Sequence, residues 1–419
     1  MKKGLKSAGV ALLSVLALVG CGNDGKKSSF KAGFILVGDE TEGYSEAHIN
    51  GINAAAEKLG LEDSQILMKK KVAEDDTVKT NAEDLVSSGC SLIVSNSYGH
   101  QDYMAEVAAE YSDKQFVSAT GDYAAISGVS NFKNAFTNVY EARYVSGIVA
   151  GMKIKELVEA GKITNANKDA DGNIKIGYVG AYTYAEVISG YTAFFLGIQS
   201  IVPNVSMQVQ FTDSWFDIDK EAAAAEILVN KGCVIIGQHA DSTGAPSKCE
   251  TLNKAGKLCY SVGYNIDMLS VAPTAALTSS TNNWEVYYEY AMKTAMEGKD
   301  IAVDWSEGYK TGAVGITALG ASCATGTDAA VKAAEDALKA GTLHVFDTSK
   351  FTVNGAHITS NMVDLSYYDF SSGSPVVVHQ GETKESVKTN GGVTYVEEST
   401  LRSAPYFSLK VDGITWLNK

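Results

Sequence analysis

Arginine is almost missing from this chain: Arg143 and Arg402 are the only two in 419 residues. Phosphate recognition draws on guanidinium forks, lysines or a glycine nest, so the shortage argues against a phosphorylated ligand. Metal-binding spacing is missing too, because no CxxC pair occurs among Cys90, Cys233, Cys249, Cys259 and Cys323. There is no GxSxG elbow, no HExxH and no phosphate-binding glycine loop, which removes the commonest hydrolase and nucleotidase designs. The chain is therefore expected to be no enzyme and to need neither cofactor nor metal. Positive charge is short as well. A net charge of -14 is the opposite of what a nucleic-acid binder carries.

Long apolar runs are limited to the beginning. Lys2, Lys3 and Lys6 precede an apolar stretch over 9–19, about half the roughly 20 residues a membrane-spanning helix needs. The stretch ends at Leu18-Val19-Gly20-Cys21, which resembles a bacterial lipobox. The reading is a signal peptide over 1–20, lipidation at Cys21 and a polar tether over 21–30 that anchors the body to the outer face of the cell membrane. Of the other cysteines, Cys90 and Cys233 read as core thiols; Cys249 and Cys259 could bridge a helix to the next strand, and the spacing leaves that open.

What is present is an alternation of β-branched runs with helical patterns from Lys31 onward, which predicts an α/β fold with parallel sheets. Strands are expected at 32–37, 91–95 and 115–119, with helices at 48–58, 81–88, 103–111 and 139–158. A second set follows the polar stretch 163–173, with strands at 174–179, 206–211, 234–237 and 258–262 and helices at 186–200, 220–230 and 247–254. The repeat is sharpest where Ala82 to Val94 parallels Ala225 to Ile236, each a helix face closed by Gly and then Cys. Two similar lobes with a cleft are expected. The first comprises 31–138 plus about 270–305, the second 139–269 plus about 306–364, and 365–419 is an extension that braces them. Helices are also expected at 284–296 and 327–339, and a hairpin joining 376–378 to 393–396 around the turn 389–392.

In doubly wound sheets ligands sit beyond the carboxyl ends of the strands. The residues there include Glu42, Tyr44, Ser45, Tyr98, His100, Thr120 and Asp122 from the first lobe. The second supplies Tyr182, Tyr184, Glu186, Trp215, Asp217, His239, Asp241, Tyr264 and Asn265, and Trp284 follows 276–280. Aromatic faces and carboxylates dominate and cations are scarce, which suits a flat, neutral ligand. Ring stacking contributes about 1–3 kcal/mol per base, and carboxylates and amides accept N–H edges.

These residues resemble the basic membrane protein family of lipoprotein substrate-binding proteins, which are similar to type I periplasmic binding proteins. Gly43-Tyr44-Ser45 with His48, Tyr140-Glu141-Ala142-Arg143-Tyr144 with Gly147 and Gly151, Ser214-Trp215, Gln238-His239-Ala240-Asp241 and Gly263-Tyr264-Asn265 carry the resemblance. It covers about 34–355. It implies two hinged lobes delivering purine nucleosides, related bases or riboflavin to an ABC importer permease, as a monomer. Tyr44 and Trp215 become the stacking faces and Asp122 a base- or ribose-binding acid. Nucleoside-binding members hold ribose with an Asp where this chain has Asn265, and carry a Lys shortly after a Thr-Ser pair where it has Asn282 and Trp284. These departures favour a free nucleobase. The expected ligand set is Tyr44, Ser45, Tyr98, Asp122, Trp215, Asp241, Asn265 and Trp284. Rival readings are a sensing module for a membrane receptor and a sugar-binding protein.

Overall fold

Central strands read as unbroken apolar runs because both of their faces are covered by helices. The computed structural model describes residues 30–369 and 376–419; the leader, Cys21 and the first part of the tether lie outside them. The first half runs β1 (Ala32–Ile35), α1 (Gly43–Lys58), β2 (Ile66–Lys69), α2 (Thr77–Ser87), β3 (Leu92–Ser95), α3 (Gln101–Glu110), β4 (Gln115–Ala119) and β5 (Phe132–Thr137). Next come α4 (Val139–Glu159), β6 (Ile174–Gly180), α5 (Ala185–Gln199), β7 (Val205–Phe211), α6 (Ile218–Asn230), β8 (Ile235–His239), α7 (Gly244–Lys254), β9 (Tyr260–Tyr264) and β10 (Ala276–Asn282). Then α8 (Trp284–Met296), β11 (Asp304–Glu307), β12 (Val314–Ile316) and α9 (Thr327–Lys339) complete the two lobes.

The two sheets repeat one plan. The first is ordered β11-β5-β4-β3-β1-β2 and all its pairings are parallel. The second places β10-β9-β8-β6-β7 in the matching order, with β12 antiparallel at one edge and a final strand from the C-terminal tail at the other. Strand order reverses between β1 and β3 in one lobe and between β6 and β8 in the other, where such sheets open a crevice. The expectation that 270–305 belongs to the first lobe is corrected within this segment. Its strand β10 pairs with β9, Ser279 opposite Gly263, whereas α8 beyond it packs on α1 in the first lobe and β11 joins the first sheet.

Before the tail, crossings at 137–139, 282–284 and 307–314 join the lobes, and they are bonded to one another. The Thr137 hydroxyl donates to the Asn282 side chain, the Asn138 amide to the Glu307 carbonyl at 2.8 Å, and Asn283 to Ala313 at 2.8 Å. Hinges absorb rotation at such element ends. Close helix contact supports the second lobe. A Cβ on Gly147 of α4 would lie 2.2 Å from the Phe194 carbonyl oxygen, and one on Gly197 of α5 would lie 2.1 Å from that of Tyr144. Only glycine lets these backbones meet, so Gly147 carries packing rather than ligand chemistry.

The tail contains β13 (Met362–Asp364), β14 (Tyr367–Asp369), β15 (Val376–His379), β16 (Thr383–Glu385), β17 (Val387–Asn390), β18 (Val393–Val396) and β19 (Ile414–Trp416). The hairpin forms, with a corrected partner. β18 pairs with β17 through the left-handed Gly391-Gly392 turn, while β15 pairs with β14. Two-residue hairpin loops need positive φ, which the glycine pair supplies. All five cysteines in the described residues are free; the Cys259 thiol donates to the Cys249 carbonyl at 3.5 Å. No helix among the described residues is long and apolar enough to cross a membrane.

Candidate functional site

The carboxyl ends of both sheets face a shared cavity of about 350 Å³. Its wall includes Tyr44, Asn96, Tyr98 and Thr120 from the first lobe and Glu186, Trp215, Asp241 and Tyr264 from the second. Four expected ligand residues, Tyr44, Tyr98, Trp215 and Asp241, therefore share one space. The other four stand elsewhere.

The start of α1 explains Tyr44 and Ser45. The helix begins at Gly43, five residues before the expected start at His48, because Glu42 caps it by accepting the Tyr44 and Ser45 amides at 2.7 and 2.8 Å. Tyr44 then faces the cavity and its hydroxyl donates to the Asn96 carbonyl. Ser45, one residue on, is buried behind the wall, where its oxygen accepts the Gly38 amide at 3.0 Å. Gly43 also brings the lobes together: a Cβ there would sit 3.3 Å from the Asp241 carbonyl oxygen.

Asn265 also lies behind the wall. Its amide nitrogen donates to Asp241 Oδ1 at 2.8 Å and its oxygen accepts from Asn282 at 3.2 Å, so it orients Asp241 from behind. Asp122 is engaged by Arg402 of the tail at 3.2 Å and by Gln101, which takes the expected base-binding acid out of the wall. Trp284 is only 1% exposed and stacks on His48 at 4.1 Å between α1 and α8; it is core. Asp217 is the N-cap of α6, accepting the Lys220 amide at 3.0 Å.

Several wall residues lie beyond the strand ends read from the sequence. Asp39, Lys71 and Glu74 line the cavity. Lys71 and Glu74 follow β2, a half-buried edge strand that runs directly into Lys70-Lys71 and so carries little strand signal. One lysine thus does reach the cleft, where it pairs with Asp39 at 2.6 Å. That pair, with the Thr41 hydroxyl and amide, holds the Asp39 carboxyl far below its ordinary range.

Carboxylates dominate the electrostatics. Burial pushes Glu186 up to about 7 against the pull of the Arg143 guanidinium. Asp241 is raised well above the usual range by burial and then by Glu42, Glu221 and Glu186. Burial, then Arg143, keeps His239 neutral, so its contact to Glu186 at 3.2 Å is a hydrogen bond rather than an ion pair. Arg143 lies behind this wall, 3.8 Å over the Tyr264 ring and donating to the Gln238 carbonyl. At the rim, Tyr182 and Tyr184 pack with Trp215, and Tyr98 meets Tyr184 across the lobes at 6.4 Å. No group of His, Cys, Asp and Glu in the described residues could hold a metal ion. The arrangement can stack a flat ring and accept its N–H edge.

Comparison with known proteins agrees with this geometry. The family described as "Bmp: ABC transporter substrate-binding protein PnrA-like" matches residues 31–339. A purine-binding protein of Brucella abortus is 30% identical over 65% of this chain and 70% of its own. A Haloferax volcanii protein, provisionally described as an ABC transporter glucose-binding protein, is 27% identical over 74% of this chain and 72% of its own. Among solved structures, an ABC transporter solute-binding protein from Aeropyrum pernix superposes with a TM-score of 0.60 at 14% identity, covering 79% of this chain and 94% of its own.

Proposed function

Because the chain belongs to the Bmp family of PnrA-like ABC transporter substrate-binding proteins, we propose that it captures a purine base or a similar flat heterocycle and delivers it to an ABC importer. The observation that carries this reading is the pair of aromatic side chains, Tyr44 from one lobe and Trp215 from the other, on a single cavity of about 350 Å³. A base presents two π-faces and a polar edge, and the cleft offers two rings and buried carboxylates. The Brucella abortus relative named for purine binding supports the same class. A free base is favoured over a nucleoside because Asn265 is engaged with Asp241 and Asn282 and Asp122 with Arg402, leaving neither to hold ribose hydroxyls.

The working cycle is a population shift: ligand favours the closed arrangement by its differential affinity for it. The bonded crossings take up the rotation and the rims of both lobes present the closed shape to the permease. The lipid at Cys21 holds the monomer at the extracytoplasmic face of the cell membrane. Isothermal titration of the soluble body with purine bases, nucleosides, riboflavin and glucose tests the reading. Saturable heat with a base is expected; heat with glucose alone, as the Haloferax relative's description suggests, overturns it.

A further inference from the structure

We propose that the cleft selects heterocycles by the amino groups on their edge, with Glu186 and Asp241 as the acceptors, and rejects oxo-substituted rings of the same size. The proposal rests on the purine reading and narrows it. Five carboxylates line the cavity, Asp39, Glu42, Glu74, Glu186 and Asp241, and three are already engaged. Glu42 spends one oxygen on the Tyr44 amide and the other on the Ser45 amide. Glu74 accepts the Ser97 hydroxyl and the Gly99 amide at 2.5 and 2.9 Å, both on Oε1, and it is exposed, so water serves its second oxygen. Asp39 holds Lys71 and Thr41. Glu186 and Asp241 differ. Each uses one oxygen, Oε1 toward His239 and Oδ1 toward Asn265, and the second oxygen of each has no protein donor among the described residues.

The cations near the wall are occupied. Lys71 is neutralised by Asp39 at 2.6 Å, and Arg143 is buried under Tyr264 and bonded to the Gln238 carbonyl. An exocyclic amine gives the two spare oxygens the donors they lack. Facing an ionised carboxylate, a carbonyl in its place sets lone pair against lone pair, and such buried mismatches discriminate strongly.

Proton release follows from the same geometry. The cleft gathers Glu42 at the cap of α1, Tyr44 of α1, Arg143 of α4, Glu186 of α5, Glu221 of α6, His239 of β8, Asp241 after it and Tyr264 of β9 around one another. Burial holds a share of the carboxyls protonated near neutrality, and an N–H edge favours their ionised form.

The test is calorimetry near pH 7 with two matched pairs, adenine against hypoxanthine and cytosine against uracil, in two buffers of different ionisation enthalpy. The amino member is expected to bind tighter by on the order of a hundredfold, with net proton release. Glu186→Gln and Asp241→Asn, each checked for folding by circular dichroism, are expected to shrink that preference to less than tenfold and to weaken the proton release. Equal or tighter binding of the oxo member overturns the proposal and leaves the purine reading standing. Purines silent with cytosine preferred over uracil overturns the purine reading and supports amino selection. Silence with all four overturns both.

Discussion

Thr120 and Asn265 follow the fourth strand of each lobe's repeat, and both take left-handed backbone, with φ of 71° and 64°. Each amide donates to the neighbouring strand, Thr120 to Ala135 and Asn265 to Ser280. Asparagine tolerates that region; a β-branched threonine is strained there by about 1–3 kcal/mol. Thr120→Gly is thus expected to raise the melting temperature while weakening base binding, because Thr120 lines the cavity; thermal melts and calorimetry read the two effects separately. Trp284→Ala is expected to cost about 3–5 kcal/mol of stability in denaturant titrations, with any residual binding defect following from that loss. Such residue roles were half legible in the sequence. The strand-end rule found Tyr44, Trp215 and Asp241, but the cap formed by Glu42 turns Ser45 inward, and nothing local distinguishes a Trp packed on His48 from one facing a ring.

The tail is the element that departs most from the family pattern, whose match stops at residue 339. It reaches the first lobe through Arg402 on Asp122, Ser403 on Asp304 at 3.0 Å and the Tyr367 ring stacked on Tyr123 at 4.3 Å. It reaches the second by pairing β19 with β7 and by the Trp416 bond to the Tyr191 hydroxyl at 2.9 Å. Arg402→Met leaves Asp122 buried without its cation, and such breaks cost about 3–5 kcal/mol. Its melting temperature is expected to fall, and Arg402→Met with Asp122→Asn is expected to recover part of the loss. Element existence was legible wherever helical periodicity ran long, as in α4, α8 and α9. The short edge strands were not, since β2 and β11 are half polar and their pairing is set by tertiary contact. The partner of β18 was missed for the same reason: the β17 run Val387-Lys388-Thr389-Asn390 has one apolar residue.

Over the whole molecule the repeat from Ala82 and Ala225 announced two equivalent sheets, and the routing of 276–282 escaped it, because a strand's sequence does not say which sheet completes it. One global consequence is a pH dependence. Burial raises Glu141, Glu186, Glu221 and Glu398 to about 7 from an ordinary 4.5. The folded state therefore binds more protons than the unfolded one between these values, so stability falls as pH rises from about 4.5 to about 7 and then levels off. Melts of the ligand-free protein across that window are expected to show this slope. The central claim is narrower: a flat ligand is held against Trp215 in a cleft shared by both lobes. Tryptophan fluorescence during titration with adenine tests it most directly. A saturable change that disappears in Trp215→Phe, with weakened affinity in Trp215→Ala, is the expected result; a signal and affinity untouched by either substitution would contradict it.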